Sequence, residues 1–346
     1  MSTVEQVIRP ATARRKAEHL RLAMDRRNQL QAHFFDDWRL EHDALPELSL
    51  DALDTHTSFL GRWLDAPVLI SCMTGGTGEA GIINRNVAAA AQACGVAVGV
   101  GSQRAAIEDP SLAWTFQVRE LAPDVPLLAN LGAVQLNHGY GLDECREAVD
   151  MIGADALVLH LNVLQEAIQP EGDTDFRGLL DRIGEVAVGL HVPVIVKEIG
   201  CGISASVARR LQRVGVGIVD VAGLGGTSWA RIESRRAPDA ELGERFAEWG
   251  IPTPDAIRQV AAVAGITVIG SGGVRTGIDV AKALALGASL AGLAQPFLGP
   301  ARESAAAVED RVRRIVRELR VAMLCSGAGN VDALSRVAIR REVNAS

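Results

Sequence analysis

Short apolar runs recur along the chain from Pro67 onward. Each run is four to six residues long, is rich in Val, Ile, Leu or Ala, and contains few polar side chains. Runs of this kind are typical of strands that are buried on both faces of a parallel sheet. The eight runs are Val68–Cys72, Val96–Val100, Leu127–Asn130, Ala156–Leu161, Val194–Lys197, Gly217–Ala222, Thr267–Gly270 and Ser289–Leu293.

The stretches between these runs place their apolar residues at helical spacing. The helix candidates include Ile82–Ala93, Leu142–Met151, Ser204–Val214, Pro254–Val263 and Gly277–Leu286. Eight strand–helix units over roughly 250 residues predict an α/β protein, a (β/α)8 TIM barrel. A doubly wound open sheet is the alternative. Against it, the glycine turn after the first run, Met73–Gly78, is not the GxGxxG that opens a dinucleotide-binding helix, and no ribose-binding acid ends the second strand.

Three segments fall outside the repeat. Residues 1–66 form an N-terminal arm with little strand pattern, and Gly223–Gly250 is a long loop after strand six. Loops of this length in compact domains are often lids or binding elements. Arg302–Leu324 has the pattern of one charge-rich amphipathic helix. We therefore predict an N-terminal arm, 1–66, and a barrel domain, 67–346.

Composition narrows the class of partner. The 346 residues are 48% hydrophobic and 22% charged, which is typical of a globular protein with a large core. A net charge of -7 and 4% aromatic residues do not favour a nucleic-acid surface, so a small-molecule partner is expected. The five cysteines are odd in number and form no CxxC, which favours a reducing cytoplasm. Val87–Gly101 is too short to span a bilayer, and the start of the chain lacks the apolar core of a signal peptide, so no membrane role is expected.

Polar residues cluster where the predicted strands end. Four of them, His160, Asn162, Gln165 and Glu166, occur within seven residues, and a packed core satisfies such a cluster only at high cost. The carboxyl ends of barrel strands form the face on which active sites are built. The residues at or just past strand ends are Thr74, Ser102, Arg104, Asn130, His160, Asn162, Lys197, Gly223 and Gly272.

Two glycine-rich turns are candidate anion sites. Ser271–Thr276 follows strand seven and Gly292–Ala294 ends strand eight, where barrels commonly bind phosphate through backbone N–H groups and a helix N-terminus. Tight structural turns are the alternative. Gly223–Trp229 follows strand six and either wraps an oxyanion or acts as a flexible hinge.

Several charged residues each have more than one possible role. Lys197 at the end of strand five could contact a flavin or phosphate, form a Schiff base, or make an ion pair. Arg15 and His19 are four apart, so on a helix they share a face that either clamps an anion or is simply solvated. Glu166 is either a Mg²⁺ ligand near bound phosphates or an ordinary acid in the first turn of a helix.

A series of motifs in chain order resembles one family. They are Arg15-Lys16-x-x-His19, Met73-Thr74-Gly75-Gly76, Gly101-Ser102-Gln103-Arg104, Asn130-Leu131-Gly132, His160-Leu161-Asn162-x-x-Gln165-Glu166, Pro170-Glu171-Gly172-Asp173, Lys197-Glu198-x-Gly200, Gly225-Gly226-Thr227-Ser228-Trp229, Glu233-x-x-Arg236, Trp249-Gly250-Ile251-Pro252-Thr253 and Ser271-Gly272-Gly273. Along almost its full length the chain resembles type 2 isopentenyl-diphosphate isomerases, the flavin-dependent kind. Thr174 departs from the pattern, because many relatives carry a basic residue there.

This resemblance implies a barrel that interconverts isopentenyl and dimethylallyl diphosphate with reduced FMN as acid and base, Mg²⁺ on the diphosphate and NADPH as flavin reductant. It also implies a homo-oligomer, a tetramer or an octamer. The FMN contacts would be Met73, Thr74, Gly75, Ser102, Asn130, Lys197, Thr227, Gly272, Gly273 and Ala294. The substrate contacts would be Arg15, Lys16, His19, Arg104, His160, Asn162 and Gln165. Among these, Gln165 and His160 would be catalytic, and Glu166 would bind the metal.

Other functions remain to be distinguished. An FMN-dependent oxidase of 2-hydroxy acids needs a base and an arginine pair near strands six and seven, where this chain has glycine turns and the arginines Arg231, Arg235 and Arg236. An enzyme like IMP dehydrogenase needs a nucleophilic cysteine after strand six, and none lies between Cys201 and Cys325. A non-enzymatic barrel that binds flavin or phosphate would need neither Glu166 nor the basic arm.

Overall fold

Eight parallel strands close into a barrel in a computed structural model that describes residues 11–237 and 239–342. Each strand pairs with the next along the chain, and the last pairs with the first, so the predicted (β/α)8 barrel is confirmed. Every strand overlaps its predicted run, and Val194–Lys197 matches it at both ends. The strands are Val68–Ile70, Ala97–Gly99, Leu127–Gly132, Ala156–His160, Val194–Lys197, Ile218–Asp220, Thr267–Ser271 and Leu290–Leu293.

Helices surround the barrel, and their ends follow local capping rules. The Thr77 hydroxyl accepts the Ala80 N–H at the start of one helix, and Gly153, with a φ of 60°, ends another. The helices in the described barrel region are Gly78–Ala93, Arg104–Glu108, Leu142–Ile152, Val163–Ile168, Leu179–Gly189, Ala205–Arg213, Trp229–Ser234, Ala240–Arg245, Thr253–Ala261, Gly277–Ala285, Gln295–Glu303, Ala305–Cys325 and Val331–Leu334. No helix in this part of the chain has the length and apolar character needed to cross a membrane.

Two predicted segments differ in detail. The predicted helix Arg302–Leu324 begins instead at Ala305, because the Ser304 hydroxyl accepts the Ala307 N–H and so separates it from the preceding helix, to which Arg302 and Glu303 belong. The segment predicted as a long loop, Gly223–Gly250, contains two short helices, capped by Ser228 and Asp239. Residue 238 in that segment lies outside the described residues.

The arm contacts both ends of the barrel. Its helix Ala11–Met24 lies over the carboxyl ends of the strands, and Trp38–Leu40 pairs antiparallel with Ile339–Arg341. A hairpin, Thr57–Phe59 with Arg62–Leu64, closes the opposite opening. These three-residue strands are not evident from the sequence. Of the predicted parts, 1–10 of the arm and 343–346 of the barrel lie outside the described residues.

The hairpin is a plug for the amino-terminal end of the barrel. Phe59 and Leu64 are buried among barrel-interior side chains such as Leu69 and Leu128. The Arg62 guanidinium donates to the Asp155 carboxylate at 2.8 and 2.9 Å. The hairpin therefore closes the end of the barrel opposite the arm helix in the described structure.

Candidate active site

Every residue predicted for the site lines one cavity at the carboxyl ends of the strands. The cavity has a volume of about 310 Å³ and is closed on one side by the arm helix. Cavities of roughly 300–1,000 Å³ are the usual size for small-molecule and cofactor sites. The contributing positions lie at the ends of different strands, so the barrel brings together residues that are distant in the sequence.

The loops after strands six and seven pack tightly backbone to backbone. A Cβ added to Gly272 would lie 2.2 Å from the Gly223 carbonyl oxygen, and one added to Gly273 would lie 2.3 Å from the Gly225 carbonyl oxygen. Both Gly272 and Gly273 also have a positive φ, 103° and 73°. Larger residues would therefore push the two loops apart.

The region beside these loops suits a phosphate. The helix Gln295–Glu303 begins at Ala294, its first residues line the cavity, and no side chain caps its first turn. An uncapped N–H at the start of a helix favours an anion, and here this is the N–H of Gln295, because Pro296 has none and Phe297 donates to the Ala294 carbonyl. The Ser71 hydroxyl, in the same cavity, is buried and has no hydrogen-bond partner among the described residues. These features fit the phosphate end of a flavin nucleotide.

His160 at the end of strand four is held as a neutral ring. Burial lowers the pKa of His160 to about 4, and the charges of Lys197 and Lys16 add to the effect. Its Nδ1 lies 2.9 Å from Oδ1 of Asn130, which can only accept, so we assign the proton to Nδ1. Nε2 is then a hydrogen-bond acceptor.

A cationic cluster from the arm helix faces the cavity. The Lys16 ammonium donates to the Ser102 carbonyl at 2.5 Å and lies 5.2 Å from the centre of the Phe116 ring. Burial lowers the pKa of Lys16 to about 7, and the Arg15 charge adds to this shift. A buried, crowded cation of this kind is stabilised when an anion binds beside it.

Arg104 lies at the rim of the same cationic region. Its guanidinium donates to the Glu108 carboxylate at 2.6 Å and lies 3.6 Å from Asp173. Asp173 in turn accepts from the Gln135 amide at 3.1 Å. Arg104 is thus held at the cavity edge by two carboxylates, those of Glu108 and Asp173.

Glu166 is a buried carboxylate in the cavity wall. One of its oxygens accepts from the Asn162 amide at 2.6 Å, and the other accepts from the Asp173 backbone N–H at 2.8 Å. A carboxylate has about four acceptor positions, so capacity remains for a cation. The part of the chain that the structure describes has no cluster of three or more metal-binding side chains. Glu166 therefore fits Mg²⁺, which commonly takes one protein carboxylate together with phosphate oxygens and water.

The structure adds a residue whose role sequence reasoning missed. Glu233 is fully buried and accepts from the Gln165 amide at 2.7 Å and from Arg236 at 2.6 Å, while His19 Nε2 lies 2.8 Å away. Burial alone would raise the pKa of Glu233, but these three contacts lower it. The spacing Glu233-x-x-Arg236, close to one helical turn, was the available signal; the partner Gln165 is 68 residues distant.

Gln29 is a second cavity residue without a sequence signal. Its side-chain amide exchanges two hydrogen bonds with the Thr227 hydroxyl, at 2.9 and 3.1 Å. The neighbouring backbone is paired as well, because the Leu30 N–H donates to the Gly226 carbonyl. Thr227, predicted as a cofactor contact, is thereby oriented by the arm.

Comparison with known proteins identifies the family of this chain. Residues 160–341, more than half of the chain, match the FMN-dependent dehydrogenase family. Mandelate oxidase solved with (S)-2-phenylpropionate superposes with a TM-score of 0.63 at 20% identity, covering 94% of this chain and 91% of the other. A mandelate oxidase variant with (S)-mandelic acid gives 0.64 at 21% identity, with coverage of 94% and 91%. At these identities the likeness shows the fold alone.

Curated relatives are much more similar in sequence. An isopentenyl-diphosphate delta-isomerase of Nostoc sp. is 51% identical, covering 93% of this chain and 94% of the relative. Proteins of the same name from Synechococcus sp. and Cronobacter sakazakii are 53% and 49% identical, covering 94% and 95% of this chain and 96% and 97% of the relatives. The chain is therefore an enzyme of the isopentenyl-diphosphate delta-isomerase family, built on the barrel of the FMN-dependent dehydrogenases.

Proposed function

We propose that the chain interconverts isopentenyl and dimethylallyl diphosphate by a 1,3 proton shift, with reduced FMN bound over the strand ends and Mg²⁺ on the diphosphate. The observation that carries the proposal is that two parts of the cavity are lined by different kinds of groups. Glycine loops and an uncapped helix N-terminus line one part, and the arm cations Arg15 and Lys16 line another. One part suits a flavin phosphate and the other a diphosphate.

The ionisable groups of the cavity support a cofactor as the proton carrier. Moving a double bond requires a proton to be added at one carbon and another to be removed nearby, on an alkene that no carbonyl acidifies. His160 is neutral, and Glu166 and Glu233 are each engaged in internal hydrogen bonds. In this proposal bound reduced FMN supplies the acid–base chemistry. The protein then orients the substrate, with Gln165 beside the reacting carbons and held by Glu233.

Oxidation of a 2-hydroxy acid is the competing function, and the arginines weigh against it. Such an oxidase requires a free arginine to bind the substrate carboxylate near strands six and seven. Here Arg231 pairs with Glu244, Arg235 with Asp25, and Arg236 with three carboxylates. None of these three arginines lines the cavity, and Arg275, which follows strand seven and does line it, donates to the Leu30 and Gly225 carbonyls.

The reaction should consume no reductant. With FMN reduced under anaerobic conditions, we expect many product molecules for each NADPH oxidised, because the double bond moves without net redox change. The measurement is product formed against NADPH consumed in the same sample. Stoichiometric consumption, or full activity with oxidised FMN, would contradict the proposal.

Lys16→Ala should raise KM by roughly ten- to a hundredfold, because a charge-assisted contact to phosphate contributes about 1.5–3 kcal/mol. The flavin spectrum and thermal stability should stay nearly unchanged. Arg21→Ala, which removes an exposed charge from the same helix, is the matched control. A normal KM in both Lys16→Ala and Arg15→Ala would show that this cluster is only a solvated helix face.

The same lysine should make diphosphate binding depend on pH. Lys16 loses its charge as the pH rises through about 7 in the free protein, because burial and then the Arg15 and Arg104 charges lower its pKa, while Glu108 opposes them. Binding above pH 7 should therefore take up a proton, which calorimetry in buffers of different ionisation enthalpy measures. Lys16→Arg should abolish this uptake, since arginine stays charged. NADPH as reductant and a homo-oligomeric assembly stay predictions from the resemblance, and a cytoplasmic location stays a prediction from the cysteine pattern.

A further inference from the structure

Two buried side chains of opposite charge end neighbouring strands beside the cavity. Lys197 ends strand five, Asp220 ends strand six, and the two residues are in register across the parallel pair. Side chains in register on neighbouring strands project from the same face of the sheet. Lys197 also lines the cavity, and His160 is its register partner on the other side.

Asp220 has no role in the substrate site described above. It is only 2% exposed and accepts a hydrogen bond of 2.5 Å from the Ser271 hydroxyl. Burial raises its pKa, while the Lys197 ammonium and the Ser271 hydroxyl lower it. A carboxylate in such a place is costly unless a nearby cation compensates it.

Lys197 is the cation whose charge lowers the pKa of this carboxylate, without an ion-pair contact between the two. Its ammonium donates to the neutral Glu198 carbonyl at 2.5 Å, and its charge also acts on the buried Glu198 carboxylate, which is already held by three backbone N–H groups. Cys72, at the cavity end of strand one, experiences both charges: its pKa is raised to about 11 by burial, and Lys197 opposes this shift while Asp220 adds to it. The ends of strands one, five and six thus share one electrostatic environment.

We propose that Asp220 is the counter-charge of Lys197 and that this pair sets the reduction potential of the bound flavin. The inference rests on the proposed FMN site and concerns the charges of Lys197 and Asp220 beside it. Reduction adds electrons to the flavin, so a nearby positive charge favours it and a nearby negative charge opposes it. Asp220 therefore offsets part of the stabilisation that Lys197 gives to the reduced form.

The test compares variants of the FMN-loaded protein. Asp220→Asn keeps the shape and the acceptor for Ser271 but removes the charge, so it should raise the flavin midpoint potential. The midpoint potential should rise by about 30 mV or more for a two-electron couple. This corresponds to at least roughly a tenfold rise in the affinity for reduced FMN relative to oxidised FMN. Lys197→Gln should lower the potential, and the double variant should return close to the starting value. Asp181→Asn, an exposed aspartate of the outer helix Leu179–Gly189, is the control.

The outcomes separate the two proposals. If the unmodified protein does not bind FMN, the proposed function fails. If FMN binds and Asp220→Asn leaves the potential unchanged or lowers it, the counter-charge inference is wrong. A purely structural Asp220 would weaken FMN retention and lower Tm without shifts of opposite sign in the two single variants. If Asp220→Asn does not fold, Asp220→Ala is a second uncharged variant. It should raise the flavin midpoint potential by the same amount.

Discussion

Glu233→Ala is expected to lower the free energy of unfolding by about 3–5 kcal/mol, the usual cost of removing one partner from a buried ion pair. The reason is that Arg236 and the Gln165 amide would lose a fully buried acceptor, and His19 would lose its contact with it. Urea denaturation measures the change. Glu244→Ala is the matched control, because Glu244 is a half-exposed carboxylate that pairs with Arg231, and surface pairs contribute only ~0–1 kcal/mol.

The same substitution should lower kcat by about a hundredfold, as expected when a residue beside the reacting atoms loses its orientation. Gln165 is oriented through Glu233, so the loss should fall on kcat more than on FMN binding. Glu233→Gln should give a kcat between those of the unmodified protein and Glu233→Ala. The glutamine amide keeps one acceptor oxygen, but its NH2 group would face side chains that are themselves donors. A Glu233→Ala protein with normal kcat and normal stability would exclude Glu233 from the site.

Glu166→Gln is expected to weaken the apparent Mg²⁺ affinity by at least roughly 10–100-fold, the range seen when even an outer partner of a metal ligand is changed. Activity at limiting Mg²⁺ should fall in proportion. FMN should stay bound, because the glycine loops that fit its phosphate lie on other strands. The measurement is a Mg²⁺ titration of turnover together with the flavin spectrum.

Glu185→Gln is the control for this substitution, because Glu185 is an exposed carboxylate on the outer helix Leu179–Gly189. An unchanged Mg²⁺ titration in Glu166→Gln would remove Glu166 from the metal site. Loss of flavin together with activity would instead indicate that the hydrogen bonds from Asn162 and the Asp173 backbone to Glu166 mainly stabilise the loop.

The barrel was predictable because its strands are buried on both faces. Such strands appear in the sequence as unbroken apolar runs, and Val194–Lys197 is an example in which the prediction and the structure agree at both ends. The strands of the arm were not predictable, since Trp38–Leu40 and Thr57–Phe59 are three residues long and depend on partners far along the chain or in the barrel core. Tertiary packing, which no local pattern records, decides these segments.

The residues of the site also fall into a group that could be predicted from the sequence and a group that could not. Strand-end residues such as His160 and Lys197 could be placed from the strand pattern, because the fold brings all carboxyl ends together. Gln29, Glu233 and Asp220 could not be given roles in this way. Each acts through a partner on another element: Gln29 contacts Thr227, Glu233 contacts Gln165, and Asp220 lies beside Lys197. Their importance lies in pairings across long sequence separations.

The pairing of Trp38–Leu40 with Ile339–Arg341 has a consequence for the order of folding. It joins segments near the two ends of the described chain, whereas the barrel strands pair mostly with their neighbours in sequence. Contacts between distant segments form slowly, because a long loop must close before they contribute any stabilisation. The barrel should therefore assemble first and the arm attach afterwards. A newly folded molecule would pass through a stage in which the glycine loops proposed to hold FMN are formed, while the arm proposed to bind the diphosphate is not yet in place.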